Sequence, residues 1–246
     1  MKVIAMIPAR LQASRFPKKL LRDLCGKTVI TRTYEATVNT GLFDEVYVVT
    51  DSDKIQAEIE ANGGKVIRSI KEHECGSDRI SEAANSVAGD IIINVQGDEP
   101  FTRKEPLQDL IQVFKDDLQG DIAVASLVHT MDDWEEIVNP NNVKVVLDAK
   151  NCAMYFSRAP IPHPRDTNVE VKFYKHIGIY AFRRFALLNF PEMEMLQNEA
   201  TEKLEGIRFL EHGMKMKMVE TPFKAIGIDT PEDLQKAIHI IQDGQL

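Results

Sequence analysis

The stretch Val3-Ile4-Ala5-Met6-Ile7 is a short apolar run that leads directly into Pro8 and Arg10. The run is too short for a membrane span or a signal-peptide core, and no small-residue cleavage site follows it, so it predicts a buried first strand. Similar runs rich in β-branched residues recur at 46–50, 65–67, 91–95 and 122–127. Stretches with helical period separate them, at 29–38, 55–61, 80–87 and 107–114. This alternation is typical of an α/β fold in which helices flank a mixed, mostly parallel sheet.

In the second half of the chain, strand candidates follow one another without helices between them, which predicts antiparallel strands. Strand candidates follow one another at 142–148, 152–158 and 174–182. A short polar turn separates the first two, which predicts a hairpin. Helices are predicted at 202–213 and 231–241, the last of them starting at an Asp229-Thr230 cap. We therefore expect a single domain over residues 1–246, with an antiparallel arm inserted at about 129–190, of a kind that can pair with a second subunit.

Composition argues against several classes of function. The net charge is −8, from 30 Lys and Arg against 38 Asp and Glu, so nucleic acid is not an expected partner. Cys25, Cys75 and Cys152 are far apart and form no CxxC pair, so neither a disulfide framework nor a zinc site is expected, and the expected compartment is the reducing cytoplasm. No run of 18 apolar residues occurs, so we expect no membrane insertion.

Basic residues are concentrated in the loop after the first predicted strand. The loop carries Arg10, Arg15, Lys18, Lys19 and Arg22, with no acidic residue among them. Ligands of open α/β sheets bind at the carboxyl ends of the strands, so the loop predicts a site for a small anion such as a triphosphate. A solvated basic surface would have the same composition.

Two acidic residues could complete such a site. Asp98 follows the strand at 91–95, directly after Gly97, and Asp229 lies near the end of the chain. Two carboxylates and a basic loop are the parts that phosphoryl or nucleotidyl transfer requires. Alternatively, Asp98 caps a strand end and Asp229 caps a helix. A nicotinamide oxidoreductase is disfavoured, because Arg10 and Arg15 stand where that class has glycines, although Asp51 would suit it.

Six ordered motifs between residues 3 and 235 carry a family resemblance. They are Ile7-Pro8-Ala9-Arg10 continuing to Ser14-Arg15-Phe16-Pro17 and Lys19, Gly76-Ser77-Asp78-Arg79, Asn94-Val95-Gln96-Gly97-Asp98-Glu99-Pro100, Tyr155-Phe156-Ser157-Arg158, Lys175-His176-Ile177-Gly178-Ile179-Tyr180 and Asp229-Thr230-Pro231-Glu232-Asp233. The set resembles the CMP-Kdo synthetase (3-deoxy-manno-octulosonate cytidylyltransferase) family. The resemblance implies a GT-A-like nucleotidyltransferase fold, a homodimer, CTP and an acidic 3-deoxy sugar such as Kdo as substrates, Mg²⁺ as cofactor and a place in lipopolysaccharide synthesis.

The resemblance also implies a role for each matching residue. The implied nucleotide-binding residues are Arg10, Ser14, Arg15, Lys19, Ser77, Arg79 and Gln96. The implied sugar-binding residues are Gln96, Arg158, His176, Tyr180 and Glu205. Asp98 and Asp229 are the implied magnesium ligands, and with Lys19 and Arg10 they make up the implied catalytic set. The anomeric hydroxyl of the sugar would attack the α-phosphorus of CTP without a dedicated base. His176 is a candidate base, but a hydrogen-bonding histidine on a strand is the simpler account.

The chain departs from the family pattern at two positions. Lys18 stands where the family commonly has glycine, so Lys18 is strained if that position has a positive φ, and the register favours Lys19 as the residue that reaches the phosphate. Gly206 stands where the family usually has glutamine, which removes an amide from the sugar pocket. The acceptor could then be another octulosonate, a nonulosonate or a sugar phosphate. A non-catalytic nucleotide-binding protein is also conceivable, but Asp98 and Lys19 are both present.

Overall fold

The predicted alternation of strands and helices is present in the computed structural model, which describes residues 1–12, 16–73, 75–166, 168–224 and 226–244. Its contacts group the chain into two compact units. The first unit is Met1–Leu107 with Ala225–Leu246, and the second unit is Gln108–Lys224. The expectation of a single domain with an arm at 129–190 stays a prediction.

A parallel sheet forms the centre of the first unit. Its strands are β1 (Val3–Ala9), β2 (Glu45–Thr50), β3 (Val66–Arg68) and β4 (Ile91–Asn94), in the order β3-β2-β1-β4. Its helices are α1 (Val29–Asn39), α2 (Asp53–Ala61), α3 (Gly76–Ala84) and α9 (Pro231–Gln242). Ile4, Met6 and Ile7 are all fully buried. Burial on both faces of β1 explains why this strand is continuously apolar.

Side-chain caps fix where the helices of the first unit begin. Thr28 accepts a hydrogen bond from the Thr31 amide at the start of α1, and Ser52 accepts one from the Ile55 amide at the start of α2. The cap of α9 is Thr230, which forms a capping box with Asp233. Because Thr230 supplies the cap, the Asp229 carboxylate is not used for capping.

The second unit is built around the long strand β5 (Ile122–Met131). This strand runs antiparallel to β8 (Phe173–Arg183) and parallel to β9 (Lys215–Glu220). The predicted hairpin is confirmed, because β6 (Lys144–Leu147) and β7 (Ala153–Ser157) pair antiparallel, and β6 also pairs with β8. The helices are α5 (Trp134–Val138), α6 (Arg184–Asn189), α7 (Gln197–Glu202) and α8 (Gly206–Glu211). Helix α4 (Lys104–Asp116) begins in the first unit and ends in the second.

The prediction of one helix over 202–213 is wrong. Helix α7 ends at Glu202, Lys203 adopts a left-handed conformation with φ 55°, and α8 begins only at Gly206. A left-handed residue ends a helix because it cannot continue the right-handed hydrogen-bond pattern. Strand β9 was not predicted, although Met216 and Met218 alternate with lysines and are both buried. Among the described residues, we find no helix that combines the length and the apolar character needed to cross a membrane.

Candidate active site

A cavity of about 310 Å³ lies in the first unit, beside the ends of β1 and β4. Its walls include several residues that the sequence singled out, namely Arg10, Lys19, Arg79, Gln96, Asp98 and Asp229. The carboxyl ends of neighbouring parallel strands meet at one edge of a sheet, and this edge is where α/β proteins bind ligands. The structure therefore brings together residues that lie far apart in the sequence.

The ammonium group of Lys19 joins the two predicted metal ligands. It donates a hydrogen bond to Asp98 Oδ2 and another, of 2.9 Å, to Asp229 Oδ1. Phe16 and Leu20 are buried on either side of Lys19 in the sequence, which holds the short turn at Lys19–Leu21 against the core. Burial by itself would lower the pKa of Lys19, but the Asp98 and Asp229 carboxylates outweigh it, so the pKa of Lys19 is raised. Lys19 is therefore a permanently charged group within the cavity.

Backbone contacts hold both aspartates in place. The Ile228 amide donates to the Asp98 carbonyl at 2.9 Å, which ties the segment before α9 to the turn after β4. A Cβ atom at Gly97 would lie 3.0 Å from the Pro8 carbonyl oxygen, so a side chain there would push the turn after β4 away from the end of β1. The alternatives in which Asp98 and Asp229 act as caps do not describe their side chains, since both carboxylates bind Lys19.

This donor set suits a magnesium ion. Two carboxylates already converge on one cation, the Lys19 ammonium, and Mg²⁺ takes one or two protein carboxylates with phosphate oxygens and water as its other ligands. Among the described residues, no group of three or more His, Cys, Asp or Glu side chains is arranged to hold a metal. A magnesium ion at this position therefore needs ligands from a bound phosphate as well as from Asp98 and Asp229.

The neighbouring Lys18 has the strained conformation that the sequence suggested. Its φ is 57° and its ψ is 29°, in the left-handed region that favours glycine. Lys18 is exposed and does not line the cavity, whereas Lys19 does. The structure thus places Lys19, not Lys18, beside the two carboxylates.

Helix α3 supplies a buried arginine to the cavity wall. The Arg79 side chain donates from Nη2 to Asp51 Oδ2 at 3.1 Å. Its Nη1 is buried without a hydrogen-bond partner among the described residues, and so are both polar side-chain atoms of the fully buried Asn94. Unpaired buried polar atoms are costly, and a ligand is one way to pair them. Ser77 is buried in the first turn of α3, outside the set of cavity-lining residues.

His73 also lines the cavity, although none of the sequence motifs includes it. His73 Nε2 lies 2.6 Å from Glu82 Oε2, and Glu82 also accepts hydrogen bonds from the Ile70 amide and the Ser69 hydroxyl. Glu82 therefore fixes the loop that carries His73. The available signal was a histidine three positions before the Gly76-Ser77-Asp78-Arg79 motif.

Two predicted phosphate-binding residues, Ser14 and Arg15, lie outside the described residues. Arg10 is described, exposed and at the rim of the cavity. The predicted sugar-binding residues divide between the two units, with Gln96 in the first and the other four, Arg158, His176, Tyr180 and Glu205, in the second.

Three of the predicted sugar-binding residues of the second unit lie at or beside an aromatic cluster. The His176 ring lies 4.8 Å from the Phe156 ring and 5.2 Å from the Tyr180 ring, measured between centroids. Glu205 precedes Gly206, the first residue of α8, and a Cβ atom at Gly206 would lie 3.1 Å from the Tyr180 hydroxyl. His176 Nε2 lies 2.8 Å from the Ser126 hydroxyl, and burial lowers the pKa of His176 to about 3. His176 is therefore neutral near pH 7, and a group with so low a pKa is a poor general base.

Arg158 follows β7 and is held by backbone carbonyls. Its Nε donates to the Glu202 carbonyl at 2.8 Å, and its Nη1 donates to the Pro140 carbonyl at 3.0 Å. The Glu202 carboxylate in turn accepts from the Arg158 amide at 2.9 Å and from the Ser157 hydroxyl at 2.6 Å. The guanidinium thus has a defined direction within the second unit.

Comparison with known proteins identifies the relatives of this chain. A family model described as cytidylyltransferase matches residues 4–217. The 3-deoxy-manno-octulosonate cytidylyltransferase of Christiangramia forsetii is 60% identical over 96% of this chain and 95% of its own length. The enzyme of the same name from Flavobacterium johnsoniae is 57% identical over 99% of this chain and 100% of its own length.

Solved structures give the same answer for the fold. A CMP:2-keto-3-deoxy-manno-octonic acid synthetase complexed with CTP superposes with a TM-score of 0.94 and 37% identity, covering 99% of this chain and 100% of that one. A 4-diphosphocytidyl-2C-methyl-D-erythritol synthase from Anaerococcus prevotii has a TM-score of 0.66 at 18% identity, covering 98% of each chain, and so shows the shared fold alone. The predicted nucleotidyltransferase fold is confirmed, and the chain belongs to the 3-deoxy-manno-octulosonate cytidylyltransferase family.

Proposed function

We propose that this protein transfers CMP from CTP to the anomeric hydroxyl of Kdo and releases pyrophosphate. The observation that carries the proposal is the cavity in which Lys19, Asp98 and Asp229 converge, in a chain that is 60% identical to a 3-deoxy-manno-octulosonate cytidylyltransferase. Two anionic side chains that share one partly buried cation are the arrangement expected of a site that handles phosphates and a metal together.

In the proposed reaction, the anomeric oxygen of the sugar forms a bond to the α-phosphorus of CTP. The bond from that phosphorus to the bridging oxygen breaks, pyrophosphate leaves, and the hydroxyl proton passes to solvent. Lys19 stabilises the charge that develops on the α-phosphate, and Arg10 and Arg15 hold the leaving phosphates. Ser14, Ser77, Arg79 and Gln96 are the proposed contacts to the rest of the nucleotide.

Asp98 and Asp229 would hold Mg²⁺, which supplies positive charge to phosphate oxygens and lowers the pKa of a bound hydroxyl. The side chains of the site mainly position the reactants and do not transfer protons. His176 is neutral and a weak base because of its low pKa, so we assign it, with Tyr180, Glu205 and Gln96, to orienting the sugar. Arg158 is proposed to bind the carboxylate of the acceptor, since a guanidinium matches a carboxylate in charge and shape.

We further propose that the protein works in the cytoplasm as a homodimer and supplies an activated sugar for lipopolysaccharide synthesis. Apolar side chains of the second unit support a subunit interface, because Trp134, Val138 and Val169 are all well exposed. Light scattering after size-exclusion chromatography tests this point. A monomer at micromolar concentration would refute the dimer and leave the proposed chemistry untouched.

A second acceptor is supported by one specific observation. Gly206 gives the Tyr180 hydroxyl space that any side chain would occupy, and this leaves room for another octulosonate such as an amino-substituted one. The test is pyrophosphate release with Mg²⁺, using CTP, UTP, ATP and GTP against Kdo, amino-substituted octulosonates and nonulosonates. Release with CTP and Kdo supports the proposal. Release only with CTP and another sugar acid would show that this other sugar acid is the acceptor. No release from folded protein that binds CTP would refute an enzymatic function.

A further inference from the structure

Lys144, the first residue of β6, is a fully buried lysine. Its ammonium donates to three backbone carbonyls, at 3.0 Å to Asn139, 2.6 Å to Asn142 and 2.5 Å to Arg158. An ammonium group has three N–H donors, so all of them are used. Among the described residues no carboxylate forms an ion pair with it.

A buried lysine of this kind is expensive for the fold. Removing an ammonium from water carries a large desolvation cost, which the nearby Glu202 carboxylate offsets only in part, so burial lowers the pKa of Lys144. A methionine would fill the same space without that cost, but it would leave the three carbonyls without this donor and so destabilise the fold. The ammonium therefore has a structural role. By binding the three carbonyls it joins the turn at 139–142 to the end of β7.

Both connections lead to Arg158. Lys144 binds the Arg158 carbonyl directly, and through Asn139 and Asn142 it holds the turn whose Pro140 carbonyl receives Arg158 Nη1. The ammonium thus links the backbone of Arg158 to the turn that receives its Nη1, while Glu202 holds the Arg158 amide and Nε. Among the described residues, Arg158 Nη2 has no hydrogen-bond partner, which leaves it available to a ligand.

We infer that Lys144 is a positioning residue that orients Arg158 for the carboxylate of the acidic acceptor, an inference that rests on the proposed function. Recognition of a carboxylate by a guanidinium depends on a fixed planar geometry. Without Lys144 the turn at 139–142 loses its link to the Arg158 backbone and is held only by Arg158 Nη1 itself, so the guanidinium samples more directions and acceptor binding weakens. CTP binding does not involve the second-unit residues named here and stays unchanged.

The first test compares Lys144→Met with the matched control Arg183→Met. Arg183 is also partly buried in the second unit and also donates to backbone carbonyls, those of Ile122 and Asp117, but it shares no partner with Arg158. Both variants should unfold at lower temperature than the wild type. Only Lys144→Met should raise the acceptor KM, by about tenfold, with the CTP KM within about twofold of wild type, because a misplacement of 1 Å costs up to about 100-fold. An equal rise in both variants would make Lys144 a purely structural residue and overturn the inference.

A double-mutant cycle with Arg158→Ala separates positioning from general stability. If Lys144 acts through Arg158, Lys144→Met has no further effect on kcat/KM for the acceptor in the Arg158→Ala background. If instead the double variant loses the product of the two single-variant losses, Lys144 does not act through Arg158. Should Lys144→Met fail to fold, Lys144→Gln keeps two N–H donors and should raise the acceptor KM by less than about tenfold with the CTP KM unchanged. An equal rise in both KM values in that variant overturns the inference. Wild-type protein that releases no pyrophosphate would refute the proposed function itself, so the two failures are distinguishable.

Discussion

Replacing Gly206 by alanine tests whether Tyr180 belongs to the acceptor site. The added Cβ atom would lie 3.1 Å from the Tyr180 hydroxyl and 3.5 Å from Phe156 Cε2. An ordinary carbon contact is about 3.5–4.0 Å, so the hydroxyl must move by roughly 0.4 Å. The nearest atom is the end of a side chain, which can shift without moving the backbone of β8.

The effect on stability and the effect on the acceptor should differ. Alanine is favoured over glycine in a helix by about 1 kcal/mol, and overpacking costs about 1–3 kcal/mol, so the free energy of unfolding should fall by about 0–2 kcal/mol. If a displacement of 1 Å costs about 100-fold, one of 0.4 Å costs about sixfold. We therefore expect the acceptor KM to rise about sixfold while the CTP KM stays constant.

Steady-state pyrophosphate release, with each substrate varied in turn, measures both constants. Thr201→Ala is the matched control, because Thr201 is exposed on α7 and its replacement also gains helix propensity. Gly206→Gln should change the acceptor constant further, again without affecting CTP. A changed CTP KM in either Gly206 variant, or an unchanged acceptor KM in both, would place residue 206 outside the acceptor site and refute the reasoning.

Four further predictions concern the first-unit site and His176. Lys18→Gly should raise the free energy of unfolding by up to about 1 kcal/mol in urea titrations, because it removes left-handed strain; Lys19→Ala should reduce turnover far more than Lys18→Ala, and the reverse order would show that Lys18 serves the phosphate. Asp98→Asn should lower kcat by about 10²–10³ in the pyrophosphate assay, since it removes a charged partner of Lys19 and a proposed metal ligand, and near-normal turnover by folded protein would contradict that role. The folded-state pKa of His176, about 3, lies below the unfolded value of about 6.5, so stability present above pH 6.5 is lost as the pH falls towards 3. At pH 5 the wild type should have lost about 2 kcal/mol more than His176→Asn in urea titrations, and parallel curves for the two proteins would refute the shift.

Much of the fold was predictable because the local sequence patterns match the secondary structure that the chain adopts. The central strands β1 and β4 of the first unit are buried on both faces, so each contains a continuous apolar run that stands out in the sequence. The hairpin of β6 and β7 follows from two alternating runs with a polar turn between them. The break at Lys203 was not predictable, because a lysine carries no signal for a left-handed conformation. Strand β9 was missed because half of its residues, Lys215, Lys217 and Glu220, are of types that are depleted in strands.

The sequence by itself determined the family, the order of the chemical groups and the identity of Lys19, Asp98 and Asp229 as candidates, since motif identity and spacing are properties of the chain. Only the tertiary structure decided that these three meet, because Lys19 and Asp229 are 210 positions apart and are brought together by the packing of the sheet edge against the segment before α9. It also decided the state of two other groups. Lys144 is buried although lysine is normally exposed, and His176 stays neutral because the packing around it lowers its pKa. Both effects are properties of the packed chain rather than of any residue in it.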